Sequence, residues 1–197
     1  DTGRTAIFAH GFEGHPQGQK ARYLNERLGY RVIAPSMHRF GWSFTGHVRS
    51  VLTALDENPN AALILGSSMG GLAVAAALAT RPERAIHTIL MAPAFGIHRV
   101  WAARLGFEAM AHWQATGYLS YPHGGVGRTI ELPYAFFTAC RDAAEVSMMH
   151  PCVVIHGRND EVVPFHESEK LLARSDQFCR LLASDDGHRL GDSLELI

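Results

Sequence analysis

The sequence predicts an α/β fold: a three-layer, doubly wound, mostly parallel sheet of about six strands carrying a short helical lid insertion. Three observations lead there. Short apolar, β-branched runs alternate with helix-length segments, as parallel strands covered on both faces require. One of those runs passes directly into a glycine-framed serine followed by small apolar residues. Between the fourth run and the fifth, the chain spends far longer than the usual two to six residues of a connection, and that stretch is rich in aromatic residues.

The elements follow in order. Thr5-Ala-Ile-Phe-Ala9 reads as the first strand and enters His10-Gly11-Phe12-Glu13-Gly14, a tight turn. Residues 17 to 28 read as a helix, with Ala21, Leu24 and Leu28 spaced by three and four. Tyr30-Arg-Val-Ile-Ala34, stopped by Pro35, is the second strand, and the loop from Ser36 to Gly46, with Trp42 and Phe44, is read as surface or the rim of a pocket. A helix over about Val48 to Leu55 and a turn at Asn58-Pro-Asn60 lead to the third strand, Ala61 to Gly66. Ala85 to Met91, Cys152 to His156 and Phe178 to Leu182 are the fourth, fifth and sixth strands, with a helix over Glu167 to Ala173 and the start of an amphipathic helix before Ile197.

Gly66-Ser67-Ser68-Met69-Gly70 fits G-x-S-x-G, a strained strand-to-helix turn that lifts the central serine hydroxyl above the sheet edge. Glycines on either side give the backbones room where they nearly touch, and the Met69 amide, opening the helix, points where an anion would form. Ser68 is therefore a candidate nucleophile. Taken alone, the five residues are equally compatible with a glycine-rich turn that packs or binds phosphate. Asp160, in Gly157-Arg-Asn-Asp160-Glu161, and His188, in Asp185-Asp-Gly-His188-Arg189, both lie just past strand C-termini, at the sheet end that carries Ser68. Nucleophile, acid and base in that chain order favour chemistry. The Phe12 amide, freed by Gly11, can face the same point as that of Met69, and the two make a candidate oxyanion hole. Of the rivals among twelve histidines, His10 is read as tying down its loop and His156 as bracing Asp160, while His166 opens a helix. Glu161 is expected to point away, and Ser67 is not the presented residue of the turn.

The insertion, about residues 96–148, holds Trp101, Phe107, Trp113, Tyr118, Tyr121, Tyr134, Phe136 and Phe137 among expected helices, with a turn at Tyr121 to Gly127. An insertion here overhangs the strand ends where ligands bind, so a lid is one reading and simple packing onto the body the other. Trp113, Tyr118 and Phe137 are the candidate substrate-binding residues.

Composition restricts the partners. A net charge of −1 without a basic run gives no footprint for nucleic acid, and no apolar run reaches the roughly 18–20 residues of a membrane span, so no stable membrane anchor is expected. No His/Cys/Asp cluster has metal-ligand spacing; neither metal nor cofactor is expected. Three cysteines without a C-x-x-C pair suggest reduced thiols and a cytoplasmic setting, although a chain starting at Asp1 is compatible with a targeting peptide upstream. No linker or repeat divides residues 1–197, which read as one domain.

His10-Gly11-Phe12, Gly66 to Gly70, His156-Gly157-Arg-Asn-Asp160-Glu-Val-Val-Pro164 and Gly187-His188 together resemble the α/β-hydrolases over nearly the whole chain. Small bacterial esterases with a His-Gly-Phe loop, and compact acyl-protein or acyl-glucuronide esterases with an Asp-Gly-His-Arg ending, are the most similar branches. Larger members carry an antiparallel hairpin before the first strand seen here. The resemblance implies a reduced sheet of about six strands, ordered 2-1-3-4-5-6 by position in the sequence. It also implies a serine esterase for small or medium acyl substrates, working through an acyl-enzyme with Ser68, His188 and Asp160. A thioesterase or depalmitoylating acyl-protein hydrolase is the alternative, and a non-enzymatic binding protein of the same fold a remote one.

Overall fold

The structure, a computed structural model, describes residues 3–197. Its centre is a six-stranded parallel sheet made of β1 (Thr5–Ala9), β2 (Arg31–Ile33), β3 (Leu63–Ser67), β4 (His87–Met91), β7 (Cys152–Gly157) and β8 (Cys179–Ser184). The strands lie in the order β2-β1-β3-β4-β7-β8. Counting only strands of this sheet, that is the expected 2-1-3-4-5-6.

Alternate side chains of each strand feed two cores, which is why the strands read as continuous apolar runs. Ile7, Ile64, Leu90 and Val154 pack with α2 (Phe44–Glu57) and α3 (Met69–Ala79). Ala6, Phe8, Leu65, Met91 and Ile155 form the opposite core with Ala21 and Leu24 of the first helical segment and with Leu190. That segment is α1 (Gln19–Arg22) running into a π-helical turn, Tyr23–Arg27. α6 (His166–Arg174) packs beside β8. Helix α2 starts four residues before the expected Val48, because Ser43 caps it by accepting from the Gly46 amide (3.0 Å) and because Phe44 and His47 already face the core. Trp42 likewise packs on Phe12 and His123 and is not part of a plain surface loop. The expected C-terminal helix amounts to one 3-10 turn at Leu194–Leu196.

The insertion is less helical than expected. It comprises α4 (Ile97–Thr116), kinked at Gly106, an antiparallel hairpin β5 (Tyr118–His123) and β6 (Arg128–Pro133), and α5 (Tyr134–Ala143). Ile130 and Leu132 point inward while Thr129 and Glu131 are exposed, a period-2 pattern beside His123-Gly-Gly-Val-Gly127 that is a hairpin signal in the sequence itself. Among the described residues no helix is long and apolar enough to cross a membrane.

Candidate active site

Every strand of the main sheet runs the same way, so the loops after β1, β3, β7 and β8 gather at one edge. Ser68 lies between β3 and α3 with φ 52° and ψ −119°, a conformation that costs a non-glycine residue about 1–3 kcal/mol. It persists because neighbouring backbone over-determines it. The Ser68 amide donates to Met91 O (2.9 Å), and Ser68 O accepts from the amides of Gly71 (2.9 Å) and Ala94 (3.0 Å). A Cβ on Gly70 would sit 2.1 Å from Ala9 O, so only glycine lets the start of α3 press against the end of β1. That approach sets the Gly11-Phe12 loop beside Ser68: a Cβ on Gly11 would lie 3.4 Å from that of Ser68. Met69 is the first residue of α3, so its N–H has no partner within its own helix.

The structure brings Asp160 and His188 to the same serine. His188 Nδ1 lies 2.8 and 3.0 Å from the two Asp160 carboxylate oxygens, which can only accept, so this nitrogen carries the proton. Nε2 is left bare and accepts from the Ser68 hydroxyl at 2.9 Å. The Asp160 side chain is wholly buried, and burial pushes its carboxyl up, yet hydrogen bonds from His156, His188 and the Val163 amide outweigh this and hold it well below the usual carboxylate range. Asp160 Oδ1 also takes the Val162 and Val163 amides, both at 2.8 Å. His156 Nε2 faces two acceptors, Asp160 Oδ2 and Val163 O, each at 3.0 Å, while its Nδ1 accepts from Ser168 Oγ at 2.6 Å. It braces the acid loop, in keeping with its position in the sequence. A Cβ on Gly157 would meet Asp186 O at 2.1 Å; this close contact joins the acid and histidine loops.

Glu161 does not point away. Its Oε2 accepts from the His188 amide at 3.2 Å, so it supports the backbone of the histidine loop while Asp160 holds the ring. His166 opens α6 and pairs with Glu167.

A cleft of about 720 Å³ opens over Ser68. Ala94, Ile97, Trp101 and Val162 give it an apolar wall; Glu13, Lys20, Glu161 and Arg189 give it a charged rim. The three aromatic residues selected from sequence do not line it. Trp113 is fully buried, donates from Nε1 to Leu132 O (2.9 Å) and packs against Tyr134 and Phe137. Phe137 belongs to this same small core of the insertion, stacking on Tyr134. Tyr118 faces solvent at 58% exposure because strand alternation turns Leu119, Tyr121 and His123 inward instead. Trp101 and Tyr121 are the insertion aromatics on the cleft. The hairpin alternation could have selected Tyr121, whereas nothing local distinguishes Trp101 from Trp113.

Residues 5–195 match the uncharacterised protein family UPF0227. The chain belongs to that family. It is 26% identical over 217 residues to the palmitoyl-protein thioesterase ABHD10, mitochondrial, of Rattus norvegicus, covering 96% of this chain and 70% of that one. Its structure is similar to that of alpha/beta hydrolase domain-containing protein 10 from mouse, with a TM-score of 0.76 and 23% identity over 100% of this chain and 86% of the mouse chain. It is also similar to Est1E from Butyrivibrio proteoclasticus in its ferulic acid-bound form, with a TM-score of 0.77 and 20% identity over 98% and 84% of the two chains. The UPF0227 member described here thus has the α/β-hydrolase fold.

Proposed function

We propose that this protein is a serine hydrolase that cleaves carboxylic esters of small or medium acyl groups. The observation carrying the reading is the unbroken series Ser68 Oγ–H to His188 Nε2, and His188 Nδ1–H to Asp160, at the floor of an open cleft. In this reading the Ser68 oxygen attacks the substrate carbonyl as His188 takes its proton, and Asp160 holds the imidazole tautomer and stabilises the imidazolium. The Phe12 and Met69 amides receive the negative charge on the tetrahedral oxygen. His188 then passes the proton to the departing alcohol, leaving acyl-Ser68; water, deprotonated by His188, releases the carboxylic acid and restores the hydroxyl.

Thioester or acyl-protein hydrolysis is the second reading, since the rat relative is named a palmitoyl-protein thioesterase and the same residues would serve. The apolar wall of Ala94, Ile97, Trp101 and Val162 is where either acyl chain would lie. Two measurements test the assignment. A fluorophosphonate probe should label wild-type protein and not Ser68→Ala. p-Nitrophenyl esters of rising chain length, run beside an acyl thioester, should show which leaving group is preferred; no turnover of either class, with no labelling, would overturn the proposal.

A further inference from the structure

The oxyanion loop is held by two histidines, one of them borne by the insertion. The N–H of Phe12 belongs to the Gly11–Phe12 peptide unit, so whatever fixes the Gly11 carbonyl fixes the direction of that N–H. Gly11 O accepts from the Gly14 amide at 2.9 Å and lies 2.7 Å from His10 Nδ1. His10 Nε2 accepts from the Met37 amide at 3.2 Å, which leaves Nδ1 as its protonated nitrogen and therefore a donor to Gly11 O. Both bonds also polarise the peptide unit and strengthen its N–H as a donor.

The next peptide unit is gripped from the other side. His123, at the end of β5, accepts from the Val126 amide at Nδ1 (3.3 Å), so its Nε2 carries the proton and donates to Phe12 O at 2.9 Å. This bond is buried, with His123 only 2% exposed. The Phe12 ring is enclosed by insertion residues as well, its centroid 4.7 Å from His123, 5.3 Å from Phe136 and 5.6 Å from Tyr121. Glu13 completes the junction by accepting from Tyr121 Oη (3.0 Å) and the Gly124 amide (3.4 Å). Phe12 thus has its preceding carbonyl fixed by the body and its own carbonyl fixed by the hairpin.

We propose that His123 is a positioning residue for ester hydrolysis: docked on Phe12 O, it holds the oxyanion loop in register with Ser68, so that stabilisation of the tetrahedral intermediate depends on the hairpin being seated. The proposal rests on the serine hydrolase reading. It separates the insertion's two duties, because Trp101 lines the apolar wall of the cleft while His123 acts through the Phe12 backbone.

The test compares His123→Met with His123→Gln, side chains of similar length that differ in carrying a donor. With p-nitrophenyl butyrate, His123→Met should lower kcat about 10- to 100-fold with KM nearly unchanged, because a displaced oxyanion donor is felt in the transition state and not in substrate binding. The affinity for an aliphatic trifluoromethyl ketone, which adds to the serine to give an oxyanion, should fall by a similar factor. His123→Gln should keep kcat within about threefold of wild type. Melting temperatures of the two variants, expected to be close, separate a positioning role from a structural one. An unchanged kcat in His123→Met, a loss confined to KM, or equal losses in Met and Gln variants would overturn the proposal. Failure of the wild type both to hydrolyse the ester and to react with the fluorophosphonate would instead overturn the hydrolase reading beneath it.

Discussion

The strand-end loops and the insertion solve different physical problems, and they were unequally visible. At the strand ends, Ser68, Asp160 and His188 are held by short-range devices: a strained turn pinned by three backbone hydrogen bonds, a carboxylate wrapped by the amides two and three residues ahead of it, and a glycine contact between adjacent loops. In the insertion, position is decided by packing between elements, as when Trp113 of α4 donates to Leu132 of β6 or Phe12 of the body sits among hairpin and α5 residues. Reactive geometry here is written into neighbouring residues. The cleft wall depends on which of several chemically similar side chains happens to face inward.

The sharpest way to break this division is at the strand ends. Ser68→Ala or His188→Ala should lower turnover of a p-nitrophenyl ester by about three or more orders of magnitude with the melting temperature nearly unchanged. Ester hydrolysis surviving either substitution would remove the hydrolase reading. Asp160→Asn should lower kcat by about three to four orders, since an amide no longer fixes the proton on His188 Nδ1. It should also destabilise the protein, because a buried –NH2 would face the donors that the carboxylate now accepts from.

Two tryptophans sharpen the contrast within the insertion. Trp113→Ala, emptying a fully buried site, should destabilise by about 3–5 kcal/mol in denaturant unfolding. Trp101→Ala, on the cleft wall, should instead raise KM for apolar acyl substrates by about tenfold, equivalent to about 1.4 kcal/mol of lost contact. An unchanged KM in Trp101→Ala, with a large loss of stability, would mean that the wall has been assigned to the wrong face of α4.

A pH-dependent effect is expected at the seam between body and insertion, where His38 and His47 pack near Phe12 with His10 and His123. Burial, with the neighbouring imidazoles adding to it, pushes His38 down to about 4 and His47 down to about 3. Both are neutral in the folded protein at pH 7. As pH falls from about 6.5, the unfolded chain takes up protons that the folded chain refuses; stability present above that value is lost progressively down to about pH 4 and levels off near 3. A melting temperature that declines over this range, and declines less in His47→Phe, is the expected outcome.

The parallel α/β sheet and the turn around Ser68 were legible in the residues themselves, because alternating apolar runs, a strained serine and close-packing glycines are local demands that only a few residue types meet, while the strand order was implied by the resemblance of four motifs to the α/β-hydrolases. The sequence also carried a hairpin signal in Ile130 and Leu132 that the aromatic composition of the insertion obscured. Only the tertiary structure decided that Trp101 and Tyr121 line the cleft, that Glu161 turns toward the histidine loop, and that His123 reaches Phe12, 111 residues away. Each of these depends on how a helix is rolled or a hairpin seated against distant elements. An indole or imidazole can serve either a wall or a core, and long-range packing chooses between them.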